Sequence, residues 1–210
     1  MKKSNTMAGT LRNNRGFTLI EMAIVLVIIG VIIGAVVKGQ DLVENAKAKQ
    51  FASKVKAWEI SLNTYADRKG ALPGDSGRNG VIGDTAELSA FADLSTAKLS
   101  SPPEKTFLIG GSNFVVSVGH GGSKNYLVVC KDLTCSSAYN PGDSADAAAL
   151  KFFESYDTSI DGSSDAKVGI VTGATAVTTN NYKTTAVTVG AGNADWMQAT
   201  DIVALVYQVK

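Results

Sequence analysis

One apolar run near the amino terminus constrains this chain more than anything else in it. From Phe17 to Val37 there are 21 residues with a single charged side chain, Glu21. At 1.5 Å per helical residue the run reaches about 31 Å, the thickness of a bilayer's hydrocarbon core. A helix that is apolar all round needs either a large protein core or a membrane. Residues 1–16 ahead of it carry Lys2, Lys3, Arg12 and Arg15 and no acid. That bias holds the leader in the cytoplasm and sends the carboxyl-terminal bulk across the bilayer. A carboxylate at Glu21 costs about 2.5–3.5 kcal/mol in such a segment, so it calls for a partner.

A secretory signal peptide does not fit, because its apolar region is shorter and its small-residue cleavage site follows that region. Here the glycine precedes it. A plain signal anchor explains neither Gly16-Phe17 nor Glu21. The stretch Arg15-Gly16-Phe17-Thr18-Leu19-Ile20-Glu21, running into the apolar segment, resembles the amino terminus of type IV pilins and of their secretion-system relatives, the pseudopilins. The resemblance implies that a prepilin peptidase cuts after Gly16 and methylates the new amine of Phe17. It also implies that Glu21 faces the terminal amine of a neighbouring subunit and sets axial register during assembly. A buried carboxylate and a buried ammonium are each costly, and pairing makes both tolerable. On that logic a lone subunit keeps Glu21 unsatisfied until it docks.

The formal charge is +1, and loss of the leader's four cations takes it to −3. A mildly acidic mature chain without a basic, aromatic-rich stripe gives no reason to expect a specific nucleic acid partner. Cys130 and Cys135 read, outside the cytoplasm, as a small disulfide closing a turn. Zinc would need two further ligands, and the only histidine is His120.

No proline interrupts residues 17–69, and Gly70 before Leu72-Pro73-Gly74 is a stop signal. One helix is therefore expected from Phe17 to Lys69. Phe51, Val55, Trp58, Leu62 and Tyr65 share one face, placed to pack a head domain. Two heptads are too few for a coiled coil. Many pilins carry a proline where this chain has Lys38. Gly30, Gly34 and Gly39 are the alternative sources of flexibility, and Gly30 with Gly34 also suits close helix approach.

The domain plan is a cleaved leader (1–16), an apolar helix (17–37), its amphipathic continuation (38–69) and a β-rich head (70–210). Strands are expected at Thr106–Ile109, Asn113–Val118, Tyr126–Cys130, Lys167–Thr172, Ala174–Thr179, Thr184–Val189 and Ile202–Gln208, with a helix at Ser144–Tyr156. An antiparallel sheet laid on the long helix gives an α+β fold, the pilin-like arrangement. Leu72-Pro73-Gly74-Asp75 and the acidic segment 157–162 also resemble turns in some prepilin-like proteins.

Asp157, Ser159 and Asp161, then Gly162, follow the opening of a calcium loop, and Asp165 falls near its ninth position. Val168 stands where the bidentate acid belongs, so an EF-hand is excluded. Calcium at these four residues is weighed against a solvated turn. Gly119-His120-Gly121-Gly122-Ser123-Lys124 lacks phosphate-loop spacing and reads as a hairpin turn. No nucleophile–base or paired-carboxylate arrangement stands out, so no enzyme is expected.

The function implied is a structural filament subunit, a homopolymer of a type IV pilus serving adhesion, motility or DNA uptake. The alternatives are a type II secretion pseudopilin and a membrane-anchored binding head. Prepilin peptidase and an assembly platform are the implied partners. The implied route runs from the inner membrane to an extracellular pilus or a periplasmic pseudopilus.

Overall fold

The computed structural model describes residues 16–84, 90–98, 101–180, 182–190 and 192–209. The leader cations Lys2, Lys3, Arg12 and Arg15 lie outside them. The chain falls into two compact units, Met1–Val43 and Glu44–Lys210.

Helix α1 runs from Leu19 to Lys69. It starts two residues later than the sequence reading, because Thr18 acts as its cap. It stops where expected: Gly70 takes φ +68 and donates its N–H to the Ala66 carbonyl at 2.8 Å. That left-handed step is cheap only for glycine. In the first unit the helix has no buried side chain, and its large apolar residues are exposed.

In the second unit α1 becomes one-sided. Phe51, Val55, Trp58 and Leu62 are buried. Phe51 is ringed by Phe107, Phe114, Phe152, Phe153 and Tyr156, with centroids 5.0–6.2 Å away. Burial on this scale contributes roughly 1.5–3 kcal/mol per large side chain. The Trp58 indole donates to the Glu104 carbonyl at 3.1 Å, which ties the segment before the sheet across the helix.

The sheet has six strands: β1 (Thr106–Ile109), β2 (Ser112–Gly121), β3 (Lys124–Cys130), β4 (Val171–Asn180), β5 (Lys183–Val189) and β6 (Ala204–Val209). Their order is β1-β2-β3-β6-β4-β5, and β5 pairs in addition with β2. That last pairing is parallel, at Val118↔Lys183 and Gly119↔Thr184, whereas the other pairings are antiparallel. The sheet is therefore mixed and closes on itself through β2-β3-β6-β4-β5, which the antiparallel expectation did not include. Gly119 permits the closure: a Cβ there would collide with the Thr184 carbonyl. The hydroxyls of Ser117 and Thr184, both buried, bond at 2.6 Å across the same seam.

Both faces of the central strands are buried, so each strand's alternation feeds two cores. Leu127, Val129 and Leu205 face the core built on α1. Tyr126, Val128, Cys130, Ala204 and Val206 face the second, inside the closed sheet.

Helix α3 (Ser144–Asp161) packs on the α1 side of the sheet. Asp143 caps it by accepting the Ala145 and Asp146 N–H groups at 2.9 and 3.3 Å. It extends five residues beyond the expected Tyr156. Helix α2 (Ala90–Ala97) was not anticipated. Its Asp93 accepts the Gly74 N–H at 2.7 Å and so holds the turn after α1. Between α3 and β4 the chain departs from the reading again. Residues 167–170 are not strand, and β4 runs unbroken through Gly173 rather than as two strands.

Candidate functional site

Gly16 and Phe17 are exposed immediately before the first turn of α1. Thr18 and Glu21 then lock that turn. The Glu21 Oε2 accepts the Thr18 N–H and the Thr18 hydroxyl, both at 2.8 Å, and the Thr18 Oγ1 accepts the Glu21 N–H at 3.3 Å. This is a capping box: a Thr at the cap and a Glu three residues on satisfy each other's otherwise orphaned N–H groups. A negative charge in a helix's first turn is also favoured by the macrodipole.

In the lone subunit Glu21 therefore already has two hydrogen bonds from Thr18, neither of them from the ammonium partner that the resemblance implies. Thr18 is the residue that reasoning overlooked. Its signal was present, because Thr-x-x-Glu ahead of an apolar run is a helix-start signature in its own right.

Beyond the cap the helix presents Leu19, Ile20, Leu26, Val27, Val31 and their neighbours outward on every side, Leu19 at 91% exposure. By length and composition it is able to cross a membrane. A surface this apolar is stable only in lipid or against other apolar surface.

The cysteines do what their spacing suggested. Cys130, ending β3, and Cys135 form a disulfide with Cα atoms 5.2 Å apart. The turn between them is organised by the Asp132 carboxylate. It accepts the N–H groups of Thr134, Ser136 and Ser137 and the Thr134 hydroxyl. Burial opposes ionisation of Asp132, but the hydrogen bonds from Thr134 and Ser137 outweigh it and hold the carboxyl well below its usual range.

The candidate calcium residues are not arranged as a loop. Asp157, Ser159 and Asp161 belong to the last turns of α3, and Gly162 is its left-handed cap. Thr158 and Ser159 return their hydroxyls to the Glu154 and Tyr156 carbonyls at 2.8 and 2.6 Å, which lets a polar stretch stay helical. Each acid serves the protein's own backbone. Asp157 is fully buried, and its Oδ2 accepts the Trp196 indole N–H at 2.9 Å and the Asp165 N–H at 2.8 Å. Asp161 accepts the Ile170 and Val171 N–H groups at 2.8 and 3.0 Å, and Asp165 accepts that of Lys167. Among the described residues no three His, Cys, Asp or Glu side chains gather as a metal would require. The acids here fasten the α3–β4 connection onto the helix.

The glycine-rich segment 119–124 is the end of the β2–β3 hairpin, with Gly121 opposite Lys124 and a Gly122-Ser123 turn. Gly122 supplies the positive φ, +67, that a II′ turn needs. His120 Nδ1 lies 3.0 Å from the Ile82 carbonyl, and Asn125 bonds both Ile82 and Gly80. His120 therefore helps anchor the 72–84 loop to the hairpin.

The comparison with protein families bears on the capped apolar helix. Residues 11–37 match the family model described as the prokaryotic N-terminal methylation motif. The chain carries the prepilin-type signature. No curated protein and no solved structure matches it. The signature spans the Gly16-Phe17 junction, the capping box and the apolar run to Val37, and it belongs to type IV pilins and pseudopilins alike. It implies processing by prepilin peptidase and assembly into a pilus or pseudopilus from a membrane-anchored precursor. It points to a structural subunit rather than an enzyme.

Proposed function

We propose that this chain is a structural subunit of a type IV pilus, cut after Gly16, methylated at Phe17 and assembled through its apolar helix. The observation that carries this reading is the exposed Gly16-Phe17 junction abutting a capped helix whose apolar faces are uncovered among the described residues. In the membrane, lipid covers those faces. In a fibre, the helices of neighbouring subunits replace the lipid at little change in apolar exposure. Cleavage leaves Thr18 and Glu21 in place, so the cap survives processing. The cap also fixes where the Glu21 carboxylate points, at the end of the helix that a neighbour's Phe17 ammonium must approach. Pairing there adds a charge-assisted bond to an acid already oriented by Thr18.

A pseudopilin of a type II secretion machine carries the same signature. We favour the pilus because the Gly-, Thr- and Ser-rich head suits an exposed fibre surface. Isolating shed fibres and identifying their subunit by mass spectrometry tests the choice. Fibres built of this chain, beginning at methylated Phe17, support the pilus. Fibres lacking it, with exoprotein export lost when the gene is deleted, overturn it in favour of the pseudopilus.

A further inference from the structure

The loop that follows α1 carries the sequence's one Asn-Gly pair, Asn79-Gly80, at an exposed tip. The Asn79 Oδ1 accepts the Val81 N–H at 2.9 Å, an Asx turn that folds the side-chain amide back over the next peptide unit. The Asn79 Nδ2 donates to the Asp84 Oδ2 at 3.2 Å, which fixes the orientation of that amide. The Asp75 carboxylate is buried and accepts two backbone N–H groups, that of Asn79 on Oδ1 and that of Gly80 on Oδ2, each at 2.9 Å.

These bonds put complementary chemistry at the two atoms of a five-membered ring that are not yet joined. A carboxylate meets the proton that the Gly80 nitrogen must lose before it attacks, which is the position of a general base. An N–H meets the oxygen on which negative charge grows when the Asn79 amide carbon is attacked, which is the position of an oxyanion donor. Gly80 has no side chain beside its nitrogen, and a Cβ there would meet nothing within 4 Å, so nothing crowds the closing ring. Residues 76–80 are exposed, so water reaches the product.

We propose that this loop modifies itself at Asn79, which becomes a succinimide with Gly80 and then an aspartate or isoaspartate. In the first step the Gly80 N–H proton passes to Asp75, the nitrogen bonds to Asn79 Cγ and the Cγ–Nδ2 bond breaks. Nδ2 takes up that proton and leaves as ammonia. Water then adds to one of the two ring carbonyls and reopens the ring. The product carries a carboxylate where an amide donated to Asp84, so like charges meet there and the 76–84 turn loosens. The reaction does not depend on the filament reading.

The full chain, solubilised in detergent, is incubated near neutral pH both folded and unfolded in guanidinium chloride. Peptide mass spectrometry follows the loss of ammonia and the gain of water at Asn79. The folded chain is expected to convert about tenfold or more faster than the unfolded one, in which Asp75 and Val81 no longer hold the reacting atoms. Asp75→Asn should bring the folded rate down to that of the unfolded parent. A folded rate equal to or below the unfolded one shows that the bonds protect Asn79, and it overturns the proposal. A folded Asp75→Asn chain that converts as fast as the parent overturns it as well. If Asp75→Asn does not fold, the parent's two rates decide alone.

Discussion

The Glu21 carboxylate closes on Thr18, accepting that residue's backbone N–H and hydroxyl at 2.8 Å each. The acid therefore has two employments, one inside its own helix and one proposed between subunits, and substitutions separate them. Thr18→Ala removes the hydroxyl from both directions of the box and should cost the helix start about 0.5–2 kcal/mol. Amide exchange measured on the detergent-solubilised chain should show faster exchange at Glu21 and Met22 and no change beyond the second turn. Unchanged exchange in the first turn would mean that the cap is not formed in an apolar medium.

Processing and assembly should come apart at the same helix end. Gly16→Ala is expected to leave the full-length precursor in the membrane, and normal cleavage of that variant would sink the peptidase assignment. Glu21→Leu is expected to be cleaved and yet to assemble poorly. Equal fibre yield from Glu21→Leu and the parent would show that charge pairing does not drive assembly.

Gly119→Ala tests the closure of the sheet. The added methyl would occupy the position of the Thr184 carbonyl, and backbone cannot move aside as a side chain does. The expected loss is on the order of 2–3 kcal/mol, read as a lower urea midpoint at an unchanged m-value. A midpoint within error of the parent would show that β2 and β5 separate at no cost.

Reduction of Cys130–Cys135 should have a smaller effect, because the loop it closes is short. The chain-entropy estimate for a loop of this size is about 2 kcal/mol. The Asp132 hydrogen bonds hold the same turn independently, which predicts a head that still folds as the Cys130→Ser, Cys135→Ser double variant. Thermal unfolding of the two forms checks this. Failure of the double variant to fold would assign the turn to the disulfide alone.

The Asp157 carboxyl predicts an unusual pH response. Burial pushes it up, hydrogen bonds from Trp196 and the Asp165 N–H partly oppose this, and the nearby Asp161 adds to the rise, to about 6. The folded value exceeds the ordinary aspartate value of 3.8, so the folded state binds the proton more tightly. This group's stabilisation is full below about pH 4 and is lost as pH rises through about 6, on the order of 3 kcal/mol in all. Asp157→Asn keeps an acceptor for Trp196 and removes the titration. Its urea midpoint should vary less than the parent's between pH 4.5 and 7. Parallel pH profiles for the two proteins would rule out Asp157 as the source.

Much of this architecture is written locally. The apolar run, the proline-free span to Lys69 and the stop at Gly70 each act on neighbouring residues, so α1 was legible almost to the residue. The face of Phe51, Val55, Trp58 and Leu62 was legible for the same reason, since helical spacing alone puts them together. Strand β1 matched at both ends. The acidic segment 157–161 misled because Asp, Ser and Thr favour turns in isolation. Here Trp196, 39 residues away, and the Asp165 and Ile170 N–H groups give those carboxylates partners that keep them in a helix.

The sequence by itself determined the capped apolar helix, its processing signature and the cysteine pair, because each depends on residues within a few positions of one another. Tertiary structure alone decided that β5 returns to β2 in parallel and that two cores lie on opposite faces of the closed sheet. Those outcomes join segments tens of residues apart. No local preference encodes which strand edge meets which, and the choice falls to packing at positions such as Gly119 and Thr184, where only one pairing lets the backbones touch.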